Sequence, residues 1–473
     1  MGTLVMKFGG TTVGNVAALT QVLSIVMHEQ KRWDRLIIVA SALEGVTDAL
    51  MEAAQLAQVN NQRGYRRITA TLRARHLALV EQLPFGANER TSLEADIDRL
   101  LFEMLDICQS VASKTEIETL TSDITDSIVA VGERLAARII AALLRKNDLR
   151  AVAIDGTDVI VTDGLFGGAR PDVNATCSKV NEHLLPMLRR QIIPVVTGYI
   201  GATAAGRVTT LGRGGSDYTA SLLAVCAQAT EVWIWSNVDG MMSTDPDEAP
   251  NAHVIGELSY AEVAELAYFG ARILHARMIH PLQAQQIPLR VKNVFKPQQN
   301  GTLIRDSSPT LLPRIKAVTS IQGIGLTAQR SGSLVEITRL VDDTLTRTIG
   351  GHADVMISAQ SSSRSFLCFV LPPTAGGSDT IHSLVLTLST VLREQDEHSP
   401  WTVRPVSVVT VIGESLDQAP DVSAQILLAL RNTRILGISQ GPSPCSMSFI
   451  VAQEDQESIL QNIHSLILKQ PAK

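Results

Sequence analysis

Short apolar runs alternate with amphipathic stretches up to about Ile304, and this alternation limits the chain to a sheet whose strands are linked by helices. Leu36 to Ala40, Val152 to Ile154, Ile193 to Val196, Val232 to Ile234 and Leu289 to Lys292 are the strand candidates, so the class is α/β with a mostly parallel sheet. Arg66 to Ser113 is helical and charged, with Leu72, Leu77, Leu79, Leu83, Leu93, Ile97, Leu100, Leu101 and Leu105 on its apolar side, and reads as a helical excursion. Gln298 to Thr302 turns into a last strand, and Asp306-Ser307-Ser308-Pro309 with Pro313 reads as a linker. Beyond it one pattern occurs twice. Ala353 to Ser361 runs into Ser365 to Val370, and Thr433 to Gly441 runs into Ser446 to Val451, each a strand, a polar turn and a strand. Helices Leu334 to Thr348, Asp421 to Asn432 and Glu457 to Leu468 flank them, which points to an internal duplication.

Two glycine turns stand out as sites. Leu4-Val5-Met6-Lys7-Phe8 reads as a buried strand, Gly9-Gly10-Thr11-Thr12 as a turn, and Gly14 to Arg32 as a helix through Val16, Leu19, Val22, Leu23 and Val26. Backbone N–H groups at such a turn, the positive end of the helix dipole and the Lys7 charge all favour a bound phosphate. The spacing is neither a P-loop nor the dinucleotide fingerprint, and a purely structural turn fits this motif equally. The second stretch is Thr209-Thr210-Leu211-Gly212-Arg213-Gly214-Gly215-Ser216-Asp217. Gly214 and Gly215 free the backbone for close approach, Arg213 can grip a carboxylate with two N–H groups, and Asp217 can open the helix that follows. A surface turn with a capping aspartate is the plain alternative.

Together these motifs resemble the aspartokinases, within the larger amino-acid kinase family. Lys7 to Val13 is similar to that family's Lys-Phe-Gly-Gly-Thr-Ser-Val with one serine changed to threonine, and Thr209 to Asp217 matches its second signature unchanged. Val39-Ala40-Ser41-Ala42-Leu43 with Gly45-Val46-Thr47, then Val131 to Leu135, then Val238-Asp239-Gly240 through Pro246 to Phe269–His275, follow in the family's order. The duplicated C-terminal unit resembles the ACT domain. The resemblance implies an amino-acid-kinase three-layer α/β sandwich over residues 1–305, a linker at 306–314, and two ferredoxin-like βαββαβ ACT units at 315–395 and 396–473. The two units would interleave, with Ile315 to Gln322 lending a strand to the second. The region after Ile304 most resembles the regulatory part of aspartokinases fused to homoserine dehydrogenase, and the expectation here is a monofunctional chain.

The implied reaction moves the ATP γ-phosphoryl group to the side-chain carboxylate of L-aspartate, the first step toward lysine, threonine and methionine. A carboxylate is ionised at neutral pH, so no general base is needed and catalysis rests on positioning and charge stabilisation, with magnesium on the phosphates. Carried onto this sequence, Lys7 would neutralise the transferring phosphoryl group while Gly9 and Gly10 donate N–H groups. Arg213, with Gly214, Gly215 and Ser216 beside it, would clamp the α-carboxylate, and Glu133 would hold the α-ammonium. Ser41 and Thr47 would line the amino-acid pocket, and Asp217 would orient Lys7 and support Mg2+. Without the resemblance, Glu133 reads as an exposed helix residue and Ser41 as a helix cap. Ser236, Asn237, Met242, Asp247 and Arg272 would stand at the nucleotide end. The family usually has Thr-Asp at the first two, tyrosine at Met242, arginine at Asp247 and lysine at Arg272, and Ala276 stands where it commonly has proline. Gln360 and Gln440 occupy positions where relatives place effector-binding glutamines, with solvated turns as the plain alternative. Gln329 to Ser333 replaces a glycine-rich turn of the first ACT unit.

Composition narrows the partners. Forty-one Lys and Arg against 47 Asp and Glu give 41 − 47 = −6, which argues against nucleic acid and anionic membranes. No apolar run reaches the roughly 18 residues of a membrane span, and no leader pattern is legible, so the expectation is a cytoplasmic protein. Five scattered cysteines without a CxxC imply reduced, mostly buried thiols, and the histidines show no zinc spacing. The expected partners are L-aspartate, an effector of the lysine or threonine class, and a second copy paired through ACT units. The rival readings are an amino-acid sensor whose altered nucleotide loop no longer supports turnover, and a kinase for another carboxylate such as glutamate or acetylglutamate.

Overall fold

The computed structural model describes residues 2–112, 122–270, 274, 276–306, 314–329, 334–349, 354–371, 378–395, 401–440 and 443–470. The first strand, Thr3–Phe8, is buried along nearly its whole length because both of its faces are covered. It sits inside a sheet ordered Ala151–Ile154, Ile193–Thr197, Arg35–Ala40, Thr3–Phe8, Glu231–Ser236, Leu289–Asn293, Thr302–Ile304, Glu257–Leu258. Pairing is parallel from Ala151–Ile154 across to Leu289–Asn293, and Thr302–Ile304 turns back antiparallel. Leu4, Met6 and Phe8 face a core shared with helices Val16–Glu29, Val46–Gln58 and Ser122–Lys146. Alternation turns Val5 to the other face, where helix Gly215–Cys226 packs, and the result is three layers. Arg35–Ala40 lies on one side of Thr3–Phe8 and Glu231–Ser236 on the other. The connections therefore diverge at the carboxyl end of the first strand, which is where an open α/β sheet leaves a crevice for a ligand.

The expected helical excursion consists of Gln62–Gln82 and Ala87–Ala112, and Leu72, Leu79, Leu93, Ile97 and Leu100 extend the same core. A small sheet of Val161–Thr162, Ile200–Thr203 and Val208–Thr210 delivers the chain to the second glycine motif. Among the described residues no helix is long and apolar enough to cross a membrane.

The chain divides into two compact units, Met1–Met241 with Gly256–Tyr260 and Leu274–Asp306, and Met242–Ile255 with Ala261–Ile273 and Ser307–Lys473. This division departs from a single boundary at 305, because two excursions are bonded into the second unit. The Val318 N–H donates to Ser243 O at 2.9 Å, the Gln456 amide donates to Glu248 Oε1 at 2.9 Å, and Lys316 Nζ lies 2.8 Å from Glu262 Oε2.

The second unit holds a sheet ordered Asp354–Gln360, Ser365–Val370, Arg314–Ala328, Trp401–Glu414, Ser446–Ala452, Gly437–Gln440. Its two long strands run antiparallel along their lengths, with a register shift between Ile315 and Ala317. Ile315 and Val318, at the start of the first, join a core with Val409, Phe449 and Ile459 beneath helices Pro420–Ala429 and Gln456–Lys469. Ile324 and Leu326, further along, join Val341, Leu367 and Leu384 beneath helices Leu334–Ile349 and Ser378–Gln395. One strand thus serves two cores. Within the stretch Thr433 to Gly441 the strand begins only at Gly437, since the chain is still turning out of the preceding helix, with Thr433 N–H bonded to Leu430 O.

The expectation of five reduced cysteines is corrected. Cys177 and Cys226, 49 residues apart, form a disulfide with a Cα–Cα distance of 4.6 Å. Helices Val173–Arg189 and Gly215–Cys226 pack side by side, a proximity that sequence spacing does not reveal. The other three are buried free thiols, and burial pushes Cys108 and Cys445 up to about 11 and Cys368 up to about 12.

Candidate active site

The crevice at the carboxyl end of Thr3–Phe8 gathers side chains from four elements. Lys7 leaves the first strand with its Nζ 2.6 Å from Asp217 Oδ1, and each side chain is only about an eighth exposed, at 13% and 12%. Asp217 is delivered by a tight turn. Gly214 has φ +71°, a conformation that a side chain would strain, and caps the helix Gly215–Cys226. The helix therefore opens two residues before Asp217, which lies in its first turn, where the macrodipole favours a carboxylate. Arg213 is exposed on the turn itself, and Ser216 packs against Gly198.

Glu133 comes from helix Ser122–Lys146. It is 3% exposed, so the bare reading of a solvent-facing helix residue is overturned. Burial pushes its carboxyl up to about 8, an effect only partly offset by the Ala42 and Glu133 backbone N–H groups and by the Lys7 charge. Its Oε2 has no hydrogen-bond partner among the described residues. A carboxyl held this way is ready to receive a cation. Ser41 follows the strand Arg35–Ala40 with its N–H on Phe8 O at 3.2 Å, and Thr47 lies in the first turn of Val46–Gln58.

The first glycine turn differs from expectation in one respect. The Gly9 N–H donates to Trp235 O at 3.3 Å, so it ties the turn to the neighbouring strand, while Gly10 opens the single helical turn Gly10–Val13. Ser236 ends the strand beside Gly9, and Asn237 follows, exposed. Their turn is braced by Asn293, whose amide donates to Asn237 O at 3.3 Å, and by Lys296, 2.7 Å from Asp239. Lys296 first, and second the Asn293 amide, which also donates to Asp239 Oδ1, hold the Asp239 carboxyl below the usual range.

Met242 pairs with Val254, and Asp247 is exposed with its N–H on Asp245 Oδ1 at 3.0 Å, both in the second compact unit. Arg272 lies outside the described residues. In the second unit Gln360 is exposed on an edge strand, and the Gln440 amide donates to Leu416 O and Ser423 Oγ, both at 3.3 Å. Among the described residues no group of three His, Cys, Asp or Glu could cage a metal ion.

Two further residues, Tyr199 and Asp126, belong to the site and were not singled out in the sequence. Tyr199, at φ +70°, bonds Leu211 N–H through its carbonyl, and burial raises its phenol while Glu133 raises it further. Asp126 and Thr210 are bonded to each other at 2.7 Å behind the motif. Asp126 was accessible to sequence reading, since it lies seven residues before Glu133 and hence on the same helix face.

A parallel sheet covered on both faces thus holds a buried lysine–aspartate pair and a receptive carboxyl at its switch point, the place where an open α/β sheet binds a small-molecule ligand. The chain belongs to the amino acid kinase family, which its residues 2–293 match, and residues 409–466 match the ACT domain. It is similar to the lysine-sensitive aspartokinase 3 of Escherichia coli, 29% identical over 473 residues, covering 98% of each chain. The aspartokinase of Chlamydia pneumoniae is 29% identical over 490 residues, covering 100% of this chain and 99% of that one. Among solved structures, E. coli aspartokinase III with lysine and aspartate superposes with a TM-score of 0.80, and its complex with aspartate and ADP with 0.75. Both are 29% identical and cover 99% of this chain and 100% of theirs.

Proposed function

We propose that this chain is an aspartate kinase, transferring the γ-phosphoryl group of ATP to the β-carboxylate of L-aspartate to give 4-phospho-L-aspartate, under feedback control through its ACT region. The observation that carries the reading is the convergence of the Lys7–Asp217 pair and the buried Glu133 on one crevice. In this reading a β-carboxylate oxygen attacks the γ-phosphorus as the bond to the β–γ bridging oxygen breaks, and ADP leaves. Lys7 offsets the charge on the phosphoryl oxygens, and Asp217 keeps its ammonium in place. Glu133 receives the α-ammonium, Arg213 takes the α-carboxylate beside Gly214, Gly215 and Ser216, and Ser41 and Thr47 close the amino-acid pocket. Magnesium, arriving with the nucleotide, would neutralise phosphate charge, with Asp217 as the protein carboxylate placed to support it.

Gly10, Ser236 and Asn237 serve the nucleotide end, joined by Met242, Asp247 and Arg272. Residues 1–305 form the catalytic domain, with ACT units at 315–395 and 396–473 after a linker. An effector of the lysine or threonine class binds the ACT units, where Gln360 and Gln440 are the assigned contacts. A cytoplasmic homodimer or larger assembly completes the proposal. Supporting it, the E. coli protein of similar sequence is described as lysine-sensitive.

The test is trapping of the acyl phosphate as its hydroxamate from L-aspartate, ATP and magnesium, with and without lysine or threonine. Lys7→Ala should lower kcat by about 10²–10³-fold while its circular dichroism is unchanged, in the range that loss of one transition-state charge contact gives. Folded wild-type protein that forms no hydroxamate would sink the reading.

A further inference from the structure

Helix Ser122–Lys146 carries a second buried carboxylate that the reaction does not use. Asp126 is 2% exposed, and both of its oxygens are occupied. Oδ2 accepts the Thr210 N–H at 2.8 Å and the Gly167 N–H at 2.9 Å, while Oδ1 accepts the Thr210 hydroxyl at 2.7 Å. Thr210 ends the strand Val208–Thr210, three residues before Arg213. Gly167 belongs to a separate loop over residues 163–170, whose Ala169 N–H donates to Thr210 O at 2.8 Å. Loop and arm lie against each other. A Cβ at Gly212, where φ is +72°, would meet Gly167 O at 3.2 Å and the Gly168 Cα at 3.3 Å. One helical turn before Asp126, Asp123 holds Arg207 at 2.8 Å, and the Arg207 guanidinium lies 4.4 Å from the centre of the Phe166 ring.

A single carboxylate therefore fastens two segments of different sequence origin to the helix that carries Glu133. We infer that Asp126 is a positioning residue, setting the Arg213 arm and the 163–170 loop at a fixed distance from Glu133 so that the site selects an amino acid by the spacing of its α-carboxylate and α-ammonium. The inference rests on the aspartate kinase reading, in which Arg213 and Glu133 hold those two groups. A charged acceptor suits the task, because two backbone N–H groups and a hydroxyl converge on it; a neutral amide would keep only its oxygen for the two N–H groups and would force the Thr210 hydroxyl to turn from donor to acceptor, which weakens the clamp.

The test compares Asp126→Asn, Thr210→Val and Thr210→Ser with the intact chain. Hydroxamate kinetics separate the two substrates, and hydrogen exchange follows residues 163–170 and 211–214. Asp126→Asn should raise KM for aspartate by about tenfold or more and leave KM for ATP within about twofold, with both segments losing protection together. Thr210→Val, which removes one of the three bonds, should show a smaller effect of the same kind, and Thr210→Ser should restore wild-type behaviour. If Asp126→Asn does not fold, the Thr210 pair carries the test alone. Equal rises in both KM values, or loss of protection in one segment only, overturns the inference. An intact chain that makes no aspartyl hydroxamate while the two segments still lose protection together removes the kinase reading and leaves the clamp standing.

Discussion

Glu133 is the residue whose behaviour is most open to measurement. Its carboxyl is pushed up to about 8 from an ordinary 4.5, so the folded protein keeps a proton that the unfolded chain has released. The sign follows directly. The stability from this proton is fully present below about pH 4.5 and is lost as pH rises through 8. Denaturant melts should show wild type losing ground to Glu133→Gln between pH 5 and 9. Substrate reverses the demand, because an α-ammonium pairs with the ionised form. The KM for aspartate should therefore fall as pH rises toward about 8, and this slope should vanish in Glu133→Gln. A flat wild-type profile would show that Glu133 does not meet the ammonium. Its burial was out of reach of the sequence, since an acid between Gly132 and Arg134 looks solvated until Ala42 and the neighbouring loop are seen to cover it.

At the level of elements, the loop carrying Met242 and Asp247 is bonded into the second unit through Ser243. Its hydroxyl lies 2.9 Å from His464 Nε2 on the last helix, Gln456–Lys469, and 3.2 Å from His253 Nδ1. Burial first, and His253 second, lower the His464 pKa from 6.5. A depressed histidine stabilises the fold fully above 6.5 and loses that contribution as pH falls toward its folded value. Hydrogen exchange over 456–469 should accordingly quicken as pH is taken from 7 to 5, beyond the intrinsic change in exchange rate, and His464→Gln should abolish the excess. No difference between wild type and variant would remove His464 from the account. Periodicity located most elements within a few residues, because Leu289–Asn293 or Leu334–Ile349 carry their signal locally. It could not place Ser243 beside His464, a contact spanning 221 positions.

For the whole molecule, the expectation is an assembly built through the ACT units. Light scattering at micromolar concentration should return at least twice the 51.0 kDa chain mass, and a strict monomer would defeat the expectation. The sequence by itself determined the α/β class, the duplicated C-terminal pattern and the two glycine motifs. These are written in local alternation and in residues such as Gly214, whose left-handed backbone leaves little choice of side chain. The tertiary structure alone decided which motif residues meet. It joined Lys7 to Asp217 across 210 positions, buried Glu133, brought Asp126 behind Thr210 and paired Cys177 with Cys226. It also set Met242 and Asp247 in a different compact unit from Lys7. Such meetings depend on sheet order and helix packing, which distant parts of the chain settle together as they share one core.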